Sequence, residues 1–279
     1  DVLANLATAY RQQGQTEQAA NAYRQAMLIR PDNGIAVKLA TLLPVIPSSR
    51  LDMEISRERF ETEIDRLTRD GVSLTDPYRD VGVTQFHLSY HDANNRDLAR
   101  KVATLYRNSS PLLDYTAPHC AEPHGFSEGR IPSGRRIKVG FISRYFKNHA
   151  VGWCYQGVLR LMPRNRISVT AFTFGVGRDA VWDAISAEVD KAVSLPLDIQ
   201  QARIAIAAEE LDILVYTDIG LEPLTYFLSQ SRLAPMQCVT NGHPDTTGVP
   251  TLDYFISGAP VAPPNAADQY SETLVNLED

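Results

Sequence analysis

The chain has 279 residues, with 27 lysines and arginines against 33 aspartates and glutamates, so its formal net charge is −6. Apolar residues make up 44% of the sequence and charged residues 22%, which is typical of globular proteins and argues against a disordered, collagen-like or coiled-coil chain. The acidic balance, without any dense block of lysine and arginine, argues against binding to the phosphate backbone of nucleic acids.

The apolar runs and the cysteines argue against a membrane-spanning protein and against a disulfide-rich one. The longest apolar stretch, residues 39–46, is far shorter than the ~20 residues that a membrane span needs, and Pro44 interrupts it. The three cysteines (Cys120, Cys154 and Cys238) are far apart and form no Cys-x-x-Cys pair, which disfavours a disulfide framework and fits a reducing, cytoplasmic setting. No His-Glu-x-x-His spacing occurs, so we expect no bound metal ion. The chain begins inside a helical pattern without Met, which suggests a piece of a longer protein.

Residues 3–31 are predicted to form two helices joined by a turn at Gly14, and Pro31 ends the second helix. Large, small and aromatic residues follow one another in an order that resembles one tetratricopeptide repeat, whose period is about 34 residues. A plain helical hairpin is the alternative. One repeat cannot bury both of its faces, so we expect neighbouring repeats upstream, and such repeats usually present a concave surface to a protein partner. The apolar positions are Leu3, Leu6, Ala7, Tyr10, Ala19, Tyr23 and Ala26.

A mostly helical connector is predicted to follow. Within it, residues 54–69 and 97–106 carry apolar side chains on one helical stripe, with charges elsewhere. The next stretch is rich in proline and glycine and poor in apolar residues, so it is the best candidate for a linker or domain boundary. The predicted units are the repeat over 1–33, the connector over 34–114, the linker over 115–135 and a C-terminal lobe over 136–279.

In the C-terminal lobe, short β-branched and aromatic runs alternate with helical patterns. This alternation predicts β-α-β units and a parallel sheet with helices on both faces. The fold class is therefore α + α/β, with a tetratricopeptide-like helical hairpin and helical connector before a Rossmann-like parallel-sheet lobe. The predicted strands cover 137–143, 167–174, 193–195, 212–216, 236–239 and 254–256, and the predicted helices 151–162, 179–192, 199–211 and 224–228.

One edge of this predicted sheet is the candidate location of a site, because open parallel sheets bind ligands beyond the carboxyl ends of their strands. Three loops fall there, 143–152, 217–221 and 242–248, and all of them hold glycine or polar residues. The sequence has no glycine-rich dinucleotide turn after the first strand, no Gly-Lys-Ser/Thr phosphate loop and no Gly-x-Ser-x-Gly elbow. We therefore expect a site at this edge that belongs to none of these common types.

Two stretches are specific in combination. The first is RIKVGFISRYFKNH at 136–149, and the second is RLAPMQ at 232–237, followed by NGHPDTTG at 241–248 and LDYF at 252–255. These stretches, in this order and downstream of a tetratricopeptide repeat, resemble the O-GlcNAc transferase family (glycosyltransferase family 41), especially its prokaryotic members. The resemblance implies repeats before a two-lobed GT-B catalytic region, of which this sequence holds the N-terminal half and ends where the first lobe passes to the second.

The resemblance also implies an activity. The family transfers a sugar, usually N-acetylglucosamine, from a UDP donor to a Ser or Thr hydroxyl of a protein acceptor, without a bound metal ion or other cofactor. By this resemblance His149 is a catalytic residue that faces the sugar and the acceptor. Gly242 and Pro244 line the donor site, and we add His243 and Thr247 of the same loop as substrate-binding candidates. Alternatively, His149 only caps the following helix, and the loop glycines only serve a turn.

Two further assignments rest on looser matches. His87 lies near the position of a family histidine that meets the acceptor or the sugar, although His91 is a competing choice and a structural role is an alternative for His87. Tyr145 is the other catalytic candidate. Eukaryotic members have an aspartate at its position, four residues before the histidine, that has been proposed to help proton removal. This chain has no carboxylate base at that position.

We therefore expect the N-terminal portion of a UDP-sugar-dependent protein glycosyltransferase that is inactive without its second lobe. A neutral imidazole can accept or relay the proton of the attacking hydroxyl, while the leaving diphosphate needs positive charge or N–H donors. Two alternatives stay open. One is a repeat-mediated interaction protein with a non-catalytic lobe, and the other is an N-linking glucosyltransferase that acts on Asn.

Overall fold

The computed structural model describes residues 2–121, 134–175, 179–259 and 265–278. Its N-terminal part is helical, as the sequence predicts, and short 3-10 helices at Phe86–His91, Pro111–Leu113 and Pro118–Cys120 follow or separate the α-helices. The predicted linker over 115–135 lies largely outside the described residues. The α-helices are α1 (Val2–Gln12), α2 (Thr16–Ile29), α3 (Asn33–Ala40), α4 (Arg50–Arg69), α5 (Pro77–Asp80) and α6 (Arg96–Ser109).

The C-terminal part alternates strands with helices up to β5, as predicted. It begins with β1 (Ile137–Ile142) and ends with β7 (Thr273–Leu277), a strand that the sequence analysis did not predict. The elements between them are α7 (Ala150–Leu161), β2 (Ile167–Phe174), α8 (Ala180–Glu188), β3 (Lys191–Leu195), α9 (Ile199–Ala207), β4 (Ile213–Tyr216), α10 (Pro223–Ser229), β5 (Met236–Thr240) and β6 (Tyr254–Gly258).

Helices α1 and α2 form the predicted hairpin. Gly14 adopts a φ of 73° in the turn between them, a backbone conformation that glycine adopts without strain. Ala7 and Tyr23 are fully buried between the two helices, and the hydroxyl groups of Thr8 and Tyr23 lie 3.2 Å apart. Small residues at the contact let the helices approach closely, which is the reason for the small-residue positions in the sequence pattern.

The seven strands form one sheet in the order β3-β2-β1-β4-β5-β6-β7. Every neighbouring pair is parallel. The chain runs from β1 to β2 and β3 on one side of the sheet. It then returns to β4, beside β1, and continues to β5, β6 and β7 on the other side. The order therefore reverses between β1 and β4, and ligands of such sheets bind beside this reversal, beyond the carboxyl ends of the strands.

The predicted helix over 179–192 was too long. Helix α8 ends at Glu188, and β3 begins at Lys191, inside the predicted helix. Val189 keeps helical spacing with the apolar residues before it, which made the pattern continue. The carboxylate of Asp190 accepts hydrogen bonds from the Val169 N–H at 2.9 Å and from the Arg136 guanidinium at 2.6 Å. These bonds hold the chain beside β2 and start the next strand.

The two faces of the sheet are covered by different elements. One face packs against α9, α10 and the helical connector, and its core includes Phe172, Tyr216 and Phe227, all fully buried. The rings of Tyr106 in α6 and Phe227 in α10 meet edge to face with centroids 5.0 Å apart. The opposite face packs against α7 and α8. Because the connector shares the first core, it is held firmly against the lobe.

Within the described ranges, no helix is long and apolar enough to cross a membrane.

Candidate functional site

The three predicted loops meet at one edge of the sheet. Strand β4 lies between β1 and β5, and the strands are parallel, so the segments that follow them leave the sheet side by side. Asp218, just after β4, accepts hydrogen bonds from the Ser143 hydroxyl at 3.0 Å and from the Arg144 N–H at 2.8 Å. A Cβ on Gly242, just after β5, would lie 3.1 Å from the Cα of Asp218. The loops after β1, β4 and β5 are thus in direct contact.

Asp218 was not predicted, although its loop was. Its side chain is fully buried, and this burial raises the pKa of the carboxyl group to about 7. Only its place directly after a buried apolar run, at the carboxyl end of a strand, signalled it in the sequence. Near neutral pH this group is therefore divided between the protonated and ionised forms beneath the candidate site.

Glu222, a second acidic residue, holds the Arg144 side chain next to Asp218. Its guanidinium lies 3.1 Å and 3.0 Å from the two carboxylate oxygens of Glu222, and Glu222 is 2% exposed. Glu222 also accepts the Leu224 N–H at 3.1 Å at the start of α10. The positive side chain after β1 thereby has a fixed position at the cleft edge.

His149 begins helix α7. Its Nδ1 accepts the N–H of Val151 at 3.2 Å, so the capping role left open by the sequence is observed. Because Nδ1 accepts this bond, the proton of the neutral ring is carried by Nε2. The ring packs against that of Tyr145, with centroids 4.4 Å apart and an angle of 30° between the planes. Both side chains are half-buried, and within the described ranges the Nε2–H has no hydrogen-bond partner, so it is available as a donor.

The loop over 242–248 is fixed on its inner side by tight packing. A Cβ on Gly242 would lie 1.7 Å from the carbonyl oxygen of Thr217, so only glycine lets the loop after β5 approach the loop after β4. Gly248 adopts a φ of 72°, and a Cβ there would lie 2.1 Å from the carbonyl carbon of Ala99 in α6. Both glycines are therefore needed for the backbone of the loop, as the alternative interpretation of the sequence expects.

Glu272 holds the same loop from the other side. It is 5% exposed, and it accepts the Thr246 hydroxyl at 2.7 Å and the Thr247 N–H at 3.0 Å, together with the Thr247 hydroxyl. Four residues of one loop are therefore bonded or packed against the loop after β4, against α6 and against the residue before β7. Glu272 lies 25 residues beyond Thr247, and no local pattern connects them.

Two protein-family models match parts of this chain. A model of glycosyl transferase family 41 matches residues 91–279, and a tetratricopeptide-repeat model matches residues 1–33. The chain belongs to glycosyl transferase family 41. The family 41 model covers the last part of the connector and the sheet lobe that carries the candidate site, and the repeat model covers the helical hairpin.

Two relatives of this family 41 chain are named as UDP-N-acetylglucosamine–peptide N-acetylglucosaminyltransferases. It is 27% identical over 188 residues to a probable UDP-N-acetylglucosamine–peptide N-acetylglucosaminyltransferase SPINDLY of Solanum lycopersicum, covering 66% of this chain and 19% of the relative. It is 24% identical over 152 residues to the UDP-N-acetylglucosamine–peptide N-acetylglucosaminyltransferase of Caenorhabditis elegans, covering 53% of this chain and 13% of the relative. The chain thus spans less than a fifth of the length of these two relatives.

A solved structure shows the same fold. The chain superposes on a mutant O-GlcNAc transferase of Thermobaculum terrenum with a TM-score of 0.62 and 20% identity, over 99% of this chain and 50% of that one. The predicted fold is confirmed, with the helical part and a Rossmann-like lobe that corresponds to the first lobe of a GT-B enzyme.

In this family 41 lobe, the structure brings some of the predicted site residues together. Tyr145, His149 and Gly242 lie on loops that meet through Asp218. Pro244 is exposed, and its carbonyl accepts the Tyr270 hydroxyl at 2.8 Å. These positions stay predictions as regards substrate binding, but their placement at one edge satisfies the condition for a shared cleft.

Other predicted residues are directed elsewhere. His243 is 6% exposed, and its Nε2 lies 3.3 Å from the carbonyl oxygen of Phe86 in the connector. Burial lowers its pKa, so the ring is neutral and donates to this carbonyl. Thr247 directs its hydroxyl to Glu272 rather than to the cleft. Both residues shape the loop in this structure, and their substrate contacts remain a prediction.

The two connector histidines differ in accessibility. His87 is half-buried, and burial lowers its pKa. Its neighbour Phe86 packs against His243 with ring centroids 5.2 Å apart, so this turn lies beside the 242–248 loop. His91 is 1% exposed. Of the two, His87 is therefore the one that a ligand can reach.

The raised pKa of Asp218 predicts a pH dependence of stability. Between pH ~4 and 7 the carboxyl group is protonated in the folded chain and ionised in the unfolded chain. Its contribution to stability is fully present below pH ~4 and is lost as pH rises through 7. We expect Asp218→Asn to remove a decline on the order of 4 kcal/mol over this range. Urea unfolding at several pH values measures it, and an unchanged slope in the variant would contradict the assignment.

Proposed function

We propose that this chain is the N-terminal part of a UDP-sugar-dependent protein glycosyltransferase that transfers N-acetylglucosamine to Ser or Thr hydroxyls. The observation that carries the proposal is the contact of the loops after β1, β4 and β5 at the edge where such sheets bind ligands. The descriptions of its relatives as UDP-N-acetylglucosamine–peptide transferases support the donor and the class of acceptor.

The geometry favours hydrogen-bond donation by His149. With Nδ1 occupied by the Val151 N–H, the ring offers Nε2–H to an oxygen in the cleft. Burial raises the pKa of Tyr145, so its phenol is also a donor near neutral pH. Donors aimed at an oxygen that gains negative charge stabilise the transition state. We therefore assign these two groups to the departing diphosphate or the sugar oxygens, and the acceptor of the hydroxyl proton has to come from other groups.

The second lobe completes the site in this proposal. Among the described residues of this edge, Arg144 has its charge largely matched by Glu222 at 3.0 Å, and Lys147 has its ammonium nitrogen 5.3 Å from the centre of the Tyr145 ring. A diphosphate leaving group needs more positive charge or more N–H donors than the described residues of this edge supply. We therefore expect this chain alone to lack transferase activity. The proposal concerns no metal ion or other cofactor, and the donor substrate is a UDP-sugar.

Turnover measured by mass spectrometry tests the proposal. Full-length protein is incubated with an acceptor-peptide library and an equimolar mixture of UDP-N-acetylglucosamine and UDP-glucose. The proposal expects peptides that gain one N-acetylhexosamine on Ser or Thr, and no product from the 279-residue chain. Hexose on Asn would favour the N-linking alternative, and robust transfer by the 279-residue chain would refute the need for a second lobe.

A non-catalytic interaction protein is the second candidate. It is favoured by Tyr145, which stands where eukaryotic members have an aspartate. In that case the full-length protein binds protein partners through its repeats but yields no glycosylated peptide with either donor. The same assay therefore separates the two functions.

A further inference from the structure

A buried amide joins the connector to the loop over 242–248. Asn95, just before α6, is 3% exposed, and its side-chain N–H groups donate to the Asp245 carboxylate at 2.7 Å and to the Leu88 carbonyl at 3.0 Å. Its Oδ1 accepts a hydrogen bond from the Arg57 guanidinium in α4 at 2.6 Å. All three bonds fit one orientation of the amide, because a reversed amide would place N–H groups against the guanidinium. Asn95 is therefore a fixed link between three segments of the chain.

Asp245 forms the loop end of this link. Its carboxylate also accepts the N–H of Thr246, inside the same loop, at 3.1 Å. The side chain is partly buried, and this burial raises the pKa of the carboxyl group, although the bond from Asn95 opposes the rise. A carboxyl oxygen accepts the Asn95 N–H whether the group is ionised or protonated. The link therefore needs an oxygen at this position rather than a negative charge.

His87 lies between two links to this loop. The carbonyl of the preceding residue, Phe86, is 3.3 Å from Nε2 of His243. The carbonyl of the following residue, Leu88, is joined to Asp245 through the buried amide. His243 and Asp245 flank the exposed proline that is predicted to line the donor site. Both chain neighbours of His87 are therefore bonded to the loop, one on each side of this proline.

A polar pocket lies where the link joins the 86–91 turn to the loop. It has a volume of about 260 Å³, and its lining includes Ser89 and Asn95 from the connector and Pro244 and Asp245 from the loop. A water molecule takes up about 30 Å³ in the liquid, so the pocket has room for a side chain of a bound peptide. Because Asn95 and Asp245 form part of its wall, their bond limits how far the turn and the loop move apart.

The turn depends on this link more than the loop does. The loop is also held by its two packed glycines and by Glu272, and these contacts act at other positions than Asp245. The loop therefore keeps its place when the link is cut. The side chain of Leu88 is buried in the core, so the turn stays folded as well. Cutting the link thus loosens the chain around His87 without unfolding either segment.

We propose that Asp245 is a positioning residue, which holds His87 at a fixed distance from the loop through Asn95 and so governs binding of the acceptor. The inference rests on the proposed function, in which the loop binds the UDP-sugar and His87 faces the acceptor. In this role Asp245 touches no reacting atom. A displacement of about 1 Å beside a reacting group slows a reaction strongly, so the loss of this link affects kinetics as well as stability.

The test compares Asp245→Ala with Asp245→Asn in the full-length protein. Alanine removes the oxygen, whereas asparagine keeps one oxygen for the Asn95 N–H. We expect Asp245→Ala to raise KM for the acceptor peptide by about tenfold, the size expected when a buried donor loses its partner, and to leave KM for the UDP-sugar unchanged. Asp245→Asn is expected to keep the acceptor KM of the unsubstituted protein. Asp97→Ala in α6 is the matched control without an effect, since its side chain is 80% exposed.

Hydrogen–deuterium exchange of the same full-length variants gives a readout that needs no turnover. We expect Asp245→Ala to speed exchange in peptides covering 84–91. Asp245→Asn and the Asp97→Ala control are expected to leave this exchange unchanged. If Asp245→Ala does not fold, Asp245→Leu keeps a branched side chain without an acceptor atom and replaces it in both measurements.

Three kinetic results overturn the proposal. An unchanged acceptor KM in Asp245→Ala would show that the link does not govern acceptor binding. An equal rise in the UDP-sugar KM would show that Asp245 holds the loop rather than the turn. An equal loss in Asp245→Asn would show that the carboxylate acts through its charge.

A failure of the proposed function looks different. It is an absence of transfer by the unsubstituted full-length protein, whereas a failure of this inference leaves that transfer intact. Without transfer, the exchange measurement alone decides on the link, and unchanged exchange over 84–91 in Asp245→Ala would reject it.

Discussion

In the full-length protein, His149→Asn is expected to lower kcat by about 10²–10³-fold while leaving the fold and its stability intact. Removing one preorganised donor from a charge that develops in the transition state has an effect of this size. Asparagine is among the strongest N-cap residues, so its side-chain oxygen can accept the Val151 N–H in place of the imidazole. The substitution then removes only the imidazole donor. Initial rates with saturating donor, together with urea unfolding, measure the two effects separately.

His149→Ala is the matched comparison. It loses both the donor and the cap, so we expect the same drop in kcat and, in addition, a loss of about 0.5–2 kcal/mol of folding stability. If instead His149→Asn keeps turnover within threefold of the unsubstituted protein, the histidine serves only to begin α7, and the catalytic assignment is wrong.

Gly248→Ala is expected to lower the free energy of unfolding of the chain by roughly 3 kcal/mol or more. A left-handed backbone costs an alanine ~1–2 kcal/mol. The added methyl would also meet the carbonyl carbon of Ala99 at 2.1 Å, and overpacking of a rigid backbone contact costs another ~1–3 kcal/mol. Because the loop is held between α6 and Glu272, it has little room to move away. Chemical denaturation followed by tryptophan fluorescence measures the loss.

Gly157→Ala in α7 is the control for this prediction. A Cβ there meets nothing within 4 Å, and alanine is a better helix former than glycine by ~1 kcal/mol. We expect this variant to be as stable as the unsubstituted chain or slightly more stable. A Gly248→Ala protein of unchanged stability would show that the 242–248 loop is not packed on the connector in solution.

The sheet could be predicted because its strands are local features. Residues 167–174 form an unbroken β-branched and aromatic run, and they are β2 with the same bounds in the structure. The end of α8 could not be predicted, because Val189 keeps the helical period while the Asp190 carboxylate bonds to the distant Val169 N–H. Strand β7 was missed because three of its five residues are exposed, which leaves a weak apolar signal at a sheet edge.

The candidate site was predictable to the level of its loops. Parallel strand order brings the loops of His149 and Gly242 to one edge, and this follows from topology alone. Side-chain partners were not predictable, because they come from distant parts of the chain. His243 bonds to Phe86, 157 residues away, and Thr247 bonds to Glu272, 25 residues away. The burial that raises the pKa of Asp218 likewise results from packing between loops rather than from a sequence pattern.

Hydrogen–deuterium exchange of the full-length protein, with and without UDP-N-acetylglucosamine, tests most directly whether this edge holds the activated sugar. We expect the donor to slow exchange in peptides covering 143–152, 217–222 and 241–248, and to leave peptides at the opposite edge of the sheet, such as 163–168, unchanged. Slower exchange at that opposite edge would contradict a donor site in the three loops. Unchanged exchange in the three loops, at a donor concentration that supports turnover, would contradict it as well.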